Sequence, residues 1–130
     1  MVKSNEEYIS WDFDETLFDW KSHRLNSEVV KIFNRQKESG LNVCIVTLRS
    51  FEECADVRYF FPETRIFYTN GQDKVRYLLY HCPLKIVKHY DDRLDTCRGL
   101  LGTDIKPVWV FGERVKEDIQ NMEIVHFREG

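Results

Sequence analysis

Apolar and polar positions along this chain switch between two periods, one of strands and one of helices. Tyr8-Ile9-Ser10-Trp11 is a short β-prone run that stops at Asp12. From Leu25 to Ser39 the apolar residues Leu25, Val29, Ile32 and Phe33 fall at helical spacing, with Asn26 or Ser27 as N-cap and Gly40 as the expected C′ stop. Asn42-Val43-Cys44-Ile45-Val46-Thr47 is then almost continuously apolar, the pattern of a strand covered on both faces as in a parallel sheet. A second helix is expected from Phe51 to Phe60, ended by Pro62, and a strand from Arg65 to Thr69. Val75, Leu78, Leu79 and Cys82 form a helical stripe that Pro83 terminates. Leu84 to Tyr90 reads as a strand. Leu94, Cys97, Leu100 and Leu101 mark a helix stopped by Gly102, and Pro107 to Phe111 is a further strand. A short helix around Val115 to Ile119 and a last strand at Ile124 to Phe127 complete the expectation.

Repetition of strand and helix argues for an α/β fold: a doubly wound, Rossmann-like, mostly parallel sheet of five to six strands with helices on both faces. Such sheets bind ligands beyond the carboxyl ends of their strands, near the reversal of strand order. The length, 130 residues, suits one domain over residues 1–130. A content of 42% hydrophobic and 32% charged residues is globular rather than disordered. The net charge of −3 argues against a strongly basic nucleic-acid binder and leaves room only for a local patch. No apolar run has membrane-spanning length and Met1 to Glu7 is no signal peptide, so a soluble, cytoplasmic protein with no membrane partner is expected. Cys44, Cys54, Cys82 and Cys97 form no Cys-x-x-Cys pair and sit in or beside apolar stretches, as reduced, buried thiols do.

The polar residues at the strand ends carry the chemistry. Asp12 and Asp14 close the first strand and Thr47 and Arg49 the second, Lys74 follows the third, and Asp91 and Asp92 end the fourth. A carboxylate can attack phosphorus and split hydrolysis into two easier displacements. A second acid two residues on can protonate the leaving oxygen and later deprotonate water. A few carboxylates with substrate phosphate and waters satisfy the oxygen octahedron of Mg2+, which screens the repulsion between anionic nucleophile and anionic substrate. Thr47 and Lys74 would bind the phosphoryl oxygens as charge builds there.

Asp12-Phe13-Asp14-Glu15-Thr16-Leu17, Thr47, Lys74 and Asp91-Asp92 together resemble, in order and over nearly the whole chain, the motifs of the haloacid dehalogenase superfamily of aspartate-nucleophile phosphatases. The resemblance implies a Mg2+-dependent phosphomonoester hydrolase. In it Asp12 is nucleophile and metal ligand, and Asp14 is the acid/base with its backbone carbonyl on the metal. Asp92 is the direct metal ligand, and Asp91 acts directly or through water. Glu15 departs from the Gly of many members, which bears on subfamily more than on activity. Asp95 reads equally well as a helix first-turn acid.

Neither the stretch from Asp14 to Thr47 nor that from Thr47 to Lys74 is long enough for the cap domain that members often insert, so an open, capless site is expected. That suits a large substrate, or a small one enclosed by a neighbour in a homo-oligomer. Thr47-Leu48-Arg49 and Asp91-Asp92-Arg93 resemble the polynucleotide 3′-phosphatase branch, which implies nucleotides or nucleic-acid ends as substrates. Arg49 would contact the substrate phosphate and Arg93 would support the substrate or the metal carboxylates. Two other readings stay open: a phosphatase of the RNA polymerase C-terminal-domain type, which Glu15-Thr16-Leu17 resembles, and a non-catalytic module that holds a phosphorylated ligand. Lys21, His23 and Arg24 fit a solvated loop better than a phosphate patch. Trp20 is the aromatic whose exposure near the site matters most.

Overall fold

The computed structural model describes residues 6–117. Six strands form one sheet: β1 (Glu7–Trp11), β4 (Asn42–Thr47), β5 (Arg65–Tyr68), β6 (Lys85–Asp91), β7 (Lys106–Phe111) and β8 (Arg114–Lys116). The order is β5-β4-β1-β6-β7-β8, with every pair parallel except β7–β8. A separate two-residue hairpin, β2 (Phe18–Asp19) with β3 (Arg24–Leu25), follows β1. The α/β class and the mostly parallel sheet are as the pattern indicated.

β1 is central. The chain steps outward from it through β4 to β5, returns to lay β6 on its other side, and continues to β7. The strand order therefore reverses beside β1, between β4 and β6, and there the carboxyl ends of three strands meet.

The helices sort onto the two faces. Val29 and Phe33 of α1 (Ser27–Glu38) and Val57 of α2 (Ala55–Phe60) pack with Trp11, Ile45 and Tyr90. On the other face, Leu78 after α3 (Lys74–Arg76) and Leu100 of α4 (Leu94–Leu100) pack with Cys44, Val46 and Ile86. β4 feeds both clusters with alternate residues, which is why its sequence reads as one apolar run. All four cysteines are free and buried.

α1 ends at Gly40, whose φ of +85° suits glycine. Leu41 N–H reaches back to Gln36 and Gly40 N–H to Lys37, the reciprocal closure of a Schellman turn. The expected N-cap, Asn26, holds the place without a side-chain cap bond; its amide donates instead to Thr16 O and Gly112 O. It ties the loop after β1 to the turn after β7.

Three expectations are corrected. The helix from Phe51 to Phe60 is broken: a 3-10 turn, Phe51–Glu53, precedes α2, with Cys54 between them at φ −115°, ψ 25°. The carbonyl of Glu53 accepts from Arg49 Nη1 at 2.8 Å, which draws that peptide out of the helical ladder. The helix after Lys74 widens into a π turn at Tyr77–His81, closed by Cys82 N–H on Tyr77 O at 2.9 Å. The helix expected from Val115 to Ile119 is instead β8 as far as Lys116. Gly112, at φ +61°, opens a two-residue turn that folds Arg114 back onto Phe111. Glu117 follows as a bend, and the rest of that helix from residue 118 and the strand at Ile124 to Phe127 lie outside the described residues.

Between Asp14 and Thr47 the chain builds only the β2–β3 hairpin, α1 and β4. Between Thr47 and Lys74 it builds only the 3-10 turn, α2 and β5. No helix among the described residues is long and apolar enough to cross a membrane.

Candidate active site

Asp12 is the first residue past β1, anchored by its N–H on Tyr90 O at 2.9 Å. Behind it Trp11 stacks on Tyr90 with ring centroids 3.7 Å apart, and its indole donates to Gln36 Oε1 at 3.0 Å. The buried Phe13 turns the chain over: Thr16, Leu17 and Phe18 N–H groups all converge on its carbonyl. This tight loop returns Thr16 Oγ1 to Asp12 Oδ2 at 3.0 Å. Asp12 Oδ1 accepts from Lys74 Nζ at 2.6 Å. Both oxygens of the expected nucleophile are thus held.

Lys74 is the first residue of α3, whose N-cap, Asp73, accepts from Arg76 N–H at 3.2 Å. Its ammonium is buried and bridges Asp12 to Asp91 Oδ2, the latter at 2.9 Å. Burial alone would depress the lysine, but the two carboxylates outweigh it and hold the group firmly charged. Asp91 Oδ2 also meets His89 Nε2 at 2.7 Å, while Oδ1 accepts from the Arg93 N–H at 3.0 Å. Burial opposes its ionisation, yet Lys74 and these hydrogen bonds keep it below the ordinary carboxylate range.

One carboxylate oxygen from each of Asp12, Asp91 and Asp92 lies within 4.8 Å of the other two. Three acids around one ammonium leave excess negative charge in a poorly solvated place. Burial and the Asp91 charge push Asp12 well up, and Asp92, half-buried and beside Asp91, is pushed to about 6. Without a further cation, burial and mutual repulsion oppose the ionisation of both Asp12 and Asp92. An all-carboxylate set short of positive charge is what a hard divalent ion such as Mg2+ fits.

Asp14 keeps its carboxylate outside this cluster. It accepts from Arg49 Nε at 3.1 Å and from Arg49 Nη2, and from the indole N–H of Trp20 at 2.8 Å. The Arg49 fork is completed by Asp56 Oδ1 at 2.7 Å and Glu53 O. It lies 5.2 Å from the Phe13 ring centroid and 5.8 Å from that of Trp20. Trp20 itself is 40% exposed, and its backbone N–H donates to Glu15 Oε1 at 2.8 Å, with Glu15 at φ +63°.

Thr47 ends β4 fully buried, its Oγ1 accepting from Arg49 N–H at 3.3 Å. Of the residues singled out in the sequence, Asp12, Lys74, Asp91 and Asp92 come together, and Asp14 with Arg49 forms a second group joined to the first through the loop after Asp12. Arg93 is drawn elsewhere. Its guanidinium is more than half exposed and pairs with Asp95 at 3.2 Å, so only its backbone serves the site. Lys21, His23 and Arg24 are exposed in the hairpin. No cap domain intervenes between Asp14 and Lys74, and Asp12 itself is only 6% exposed.

Sequence reasoning missed Ser10, His89, Asp56 and the Glu53 carbonyl. Ser10 and His89 carried one signal: each stands two positions before an acid at the end of its strand. No family model, curated protein or solved structure matches this chain.

Proposed function

We propose that the protein is a Mg2+-dependent phosphomonoester hydrolase of the haloacid dehalogenase type, with Asp12 as nucleophile. One observation carries the reading: the buried Lys74 ammonium spans Asp12 and Asp91 at 2.6 and 2.9 Å, with Asp92 completing a three-acid cluster at the strand-order reversal. A core lysine that merely neutralised one buried acid would not need two others beside it.

Asp12 and Asp92 would hold the ion directly and Asp91 through water, with the Asp14 carbonyl as the resemblance assigns. When bound, Mg2+ supplies positive charge that offsets the mutual repulsion of carboxylate and phosphate. The residues do the rest. An Asp12 oxygen attacks phosphorus, the bond to the leaving oxygen breaks, and that oxygen takes its electron pair together with a proton from Asp14. Water then attacks the aspartyl-phosphate and gives its proton to Asp14; the phosphorus–Asp12 bond breaks and Asp12 is regenerated. Lys74 holds the Asp12 oxygen in line and neutralises charge that builds on the phosphoryl group.

Asp14 must be free of its clasp for this work. Arg49 occupies it now, and a phosphate dianion is a stronger partner for the same planar fork. Substrate that draws Arg49 toward its phosphate would release Asp14 toward the leaving oxygen. The exposed Trp20 ring beside that place favours a flat leaving group, in keeping with a nucleotide or a nucleic-acid 3′ end.

The test is phosphate release from a panel of 3′-phosphorylated oligonucleotides, mononucleotides, phosphopeptides and p-nitrophenyl phosphate, with Asp12→Asn as the blank. Turnover of the oligonucleotides or mononucleotides that needs Mg2+ and disappears in the variant is expected. Turnover confined to phosphopeptides would replace the nucleotide reading with the polymerase-tail one. No turnover of any substrate, with Mg2+-dependent ligand binding retained, would leave a binding module.

A further inference from the structure

The machinery above makes no use of His89, although it is fully buried and touches it. Its place follows from the sheet. His89 and Asp91 sit two apart on β6 and so share a face, and the parallel register sets Ser10 of β1 opposite His89. His89 Nε2 lies 2.7 Å from Asp91 Oδ2, and Nδ1 lies 2.7 Å from the Ser10 hydroxyl, which can give or take a proton. An ionised carboxylate only accepts, so Nε2 carries the ring proton in this contact. Ser10 also reaches Lys88 O at 3.4 Å. A continuous series of buried side chains results: Ser10, His89, Asp91, Lys74, Asp12.

What Asp91 could otherwise do decides the role. It is one of the three acids whose oxygens lie within 4.8 Å of one another, so it can turn toward a cation. Its donors restrain it: Arg93 N–H on Oδ1, and Lys74 with His89 on Oδ2. Lys74 is shared with Asp12 and cannot hold Asp91 alone. Were Asp91 to rotate to the cation, Lys74 would lose one of the two carboxylates that fix its ammonium over Asp12 Oδ1, and the nucleophile would be oriented less firmly. We propose that His89, braced by Ser10, is a positioning residue that keeps Asp91 on Lys74 and thereby keeps the ammonium on Asp12.

The proposal rests on the phosphohydrolase reading for its kinetic consequence, while its metal-binding consequence stands without it. His89→Ala, His89→Gln and Ser10→Ala are compared with the unmodified chain by Mg2+ titration calorimetry and by steady-state phosphate release. In His89→Ala, Asp91 is freed for the ion. Mg2+ is then expected to bind at least threefold more tightly while kcat falls tenfold or more with KM within twofold. Mere damage would weaken both. His89→Gln keeps an N–H donor near the Nε2 position and is expected to recover kcat to within about threefold and to restore the Mg2+ affinity; Ser10→Ala should fall between. Unaltered Mg2+ affinity and kcat in His89→Ala would overturn the proposal. So would a His89→Gln variant that melts like the unmodified chain yet behaves as His89→Ala does. If the unmodified chain releases no phosphate from any substrate, the function reading fails by itself. The proposal is then decided by the calorimetry alone, where absence of the affinity gain refutes it.

Discussion

Lys74 is the residue on which the site balances. Removing one partner of a buried, hydrogen-bonded charge group leaves the others uncompensated, at a cost of about 3–5 kcal/mol. Lys74→Met should therefore melt well below the unmodified chain in EDTA. Because the same acids can take a divalent ion, Mg2+ should raise the melting temperature of the variant more than that of the parent. Thermal unfolding with and without Mg2+ reads both, and equal shifts would mean that the ion binds elsewhere. Asp92 contributes to the pH behaviour in the same direction as Asp12. Its carboxyl, ordinarily near 3.8, is pushed up to about 6 in the folded chain. Between those values the folded state binds more protons than the unfolded one, so in EDTA this residue's contribution to stability falls as pH rises through that window. The ion displaces the same proton, so Mg2+ affinity should drop as pH falls below about 6. Calorimetry in buffers of different ionisation enthalpy would show proton release near pH 6 and little at pH 8.

Elements transmit these demands to the backbone. A β-carbon on Gly99 of α4 would lie 2.8 Å from Val75 Cγ2, one residue after Lys74. Gly99→Ala gains about 1 kcal/mol of helix propensity but overpacks this contact, which typically costs about 1–3 kcal/mol. Since Val75 neighbours Lys74, the variant should lose phosphate release along with stability, and Val75→Ala in the same chain should recover both by making room. Arg49 binds the 3-10 turn before α2 to the loop after β1, and a lysine cannot reproduce a fork that serves Asp14, Asp56 and Glu53 O together. Arg49→Lys should lower kcat/KM by about 10- to 100-fold, an interaction of about 1.4–2.7 kcal/mol at the transition state. At this scale the sequence was readable where one force dominated. β4 and α1 announced themselves because burial on two faces, or on one helical stripe, leaves an unbroken periodic signal. The break at Cys54 and the π turn at Tyr77–His81 were hidden, because the Arg49 side chain on Glu53 O and the Cys82 N–H on Tyr77 O mark them, and neither contact leaves a trace in the apolar periodicity. The acid cluster was legible because every member closes a strand, whereas His89 lay mid-strand, where its spacing of two from Asp91 gains a role only once the register sets Ser10 opposite it.

The charge of the whole molecule constrains what approaches Asp12. With 19 basic and 22 acidic side chains the chain carries a net −3, and the cations around the site are few and engaged. Lys74 is spent on two acids, Arg49 on Asp14 and Asp56, and Arg93 on Asp95. Lys21 and Arg24 on the exposed hairpin are the nearest cations along the chain that could meet a flanking phosphate. A nucleic-acid substrate would then be held by its terminal phosphate and the last base, with no basic track along the strand. Counter-ion release makes this quantitative: affinity for single strands falls with salt at a log–log slope of about −0.7 per phosphate contacted. A contact of one or two phosphates predicts a slope near −1 for kcat/KM on 3′-phosphorylated oligonucleotides, and similar kcat/KM for a trimer and a 20-mer. A protein that tracked the strand would give a slope of about −4 or steeper and favour the longer substrate. Measuring kcat/KM from 25 to 300 mM KCl at fixed free Mg2+ for both lengths separates the two. A steep slope would mean that the strand meets a basic surface, and recognition of the end alone would have to be abandoned.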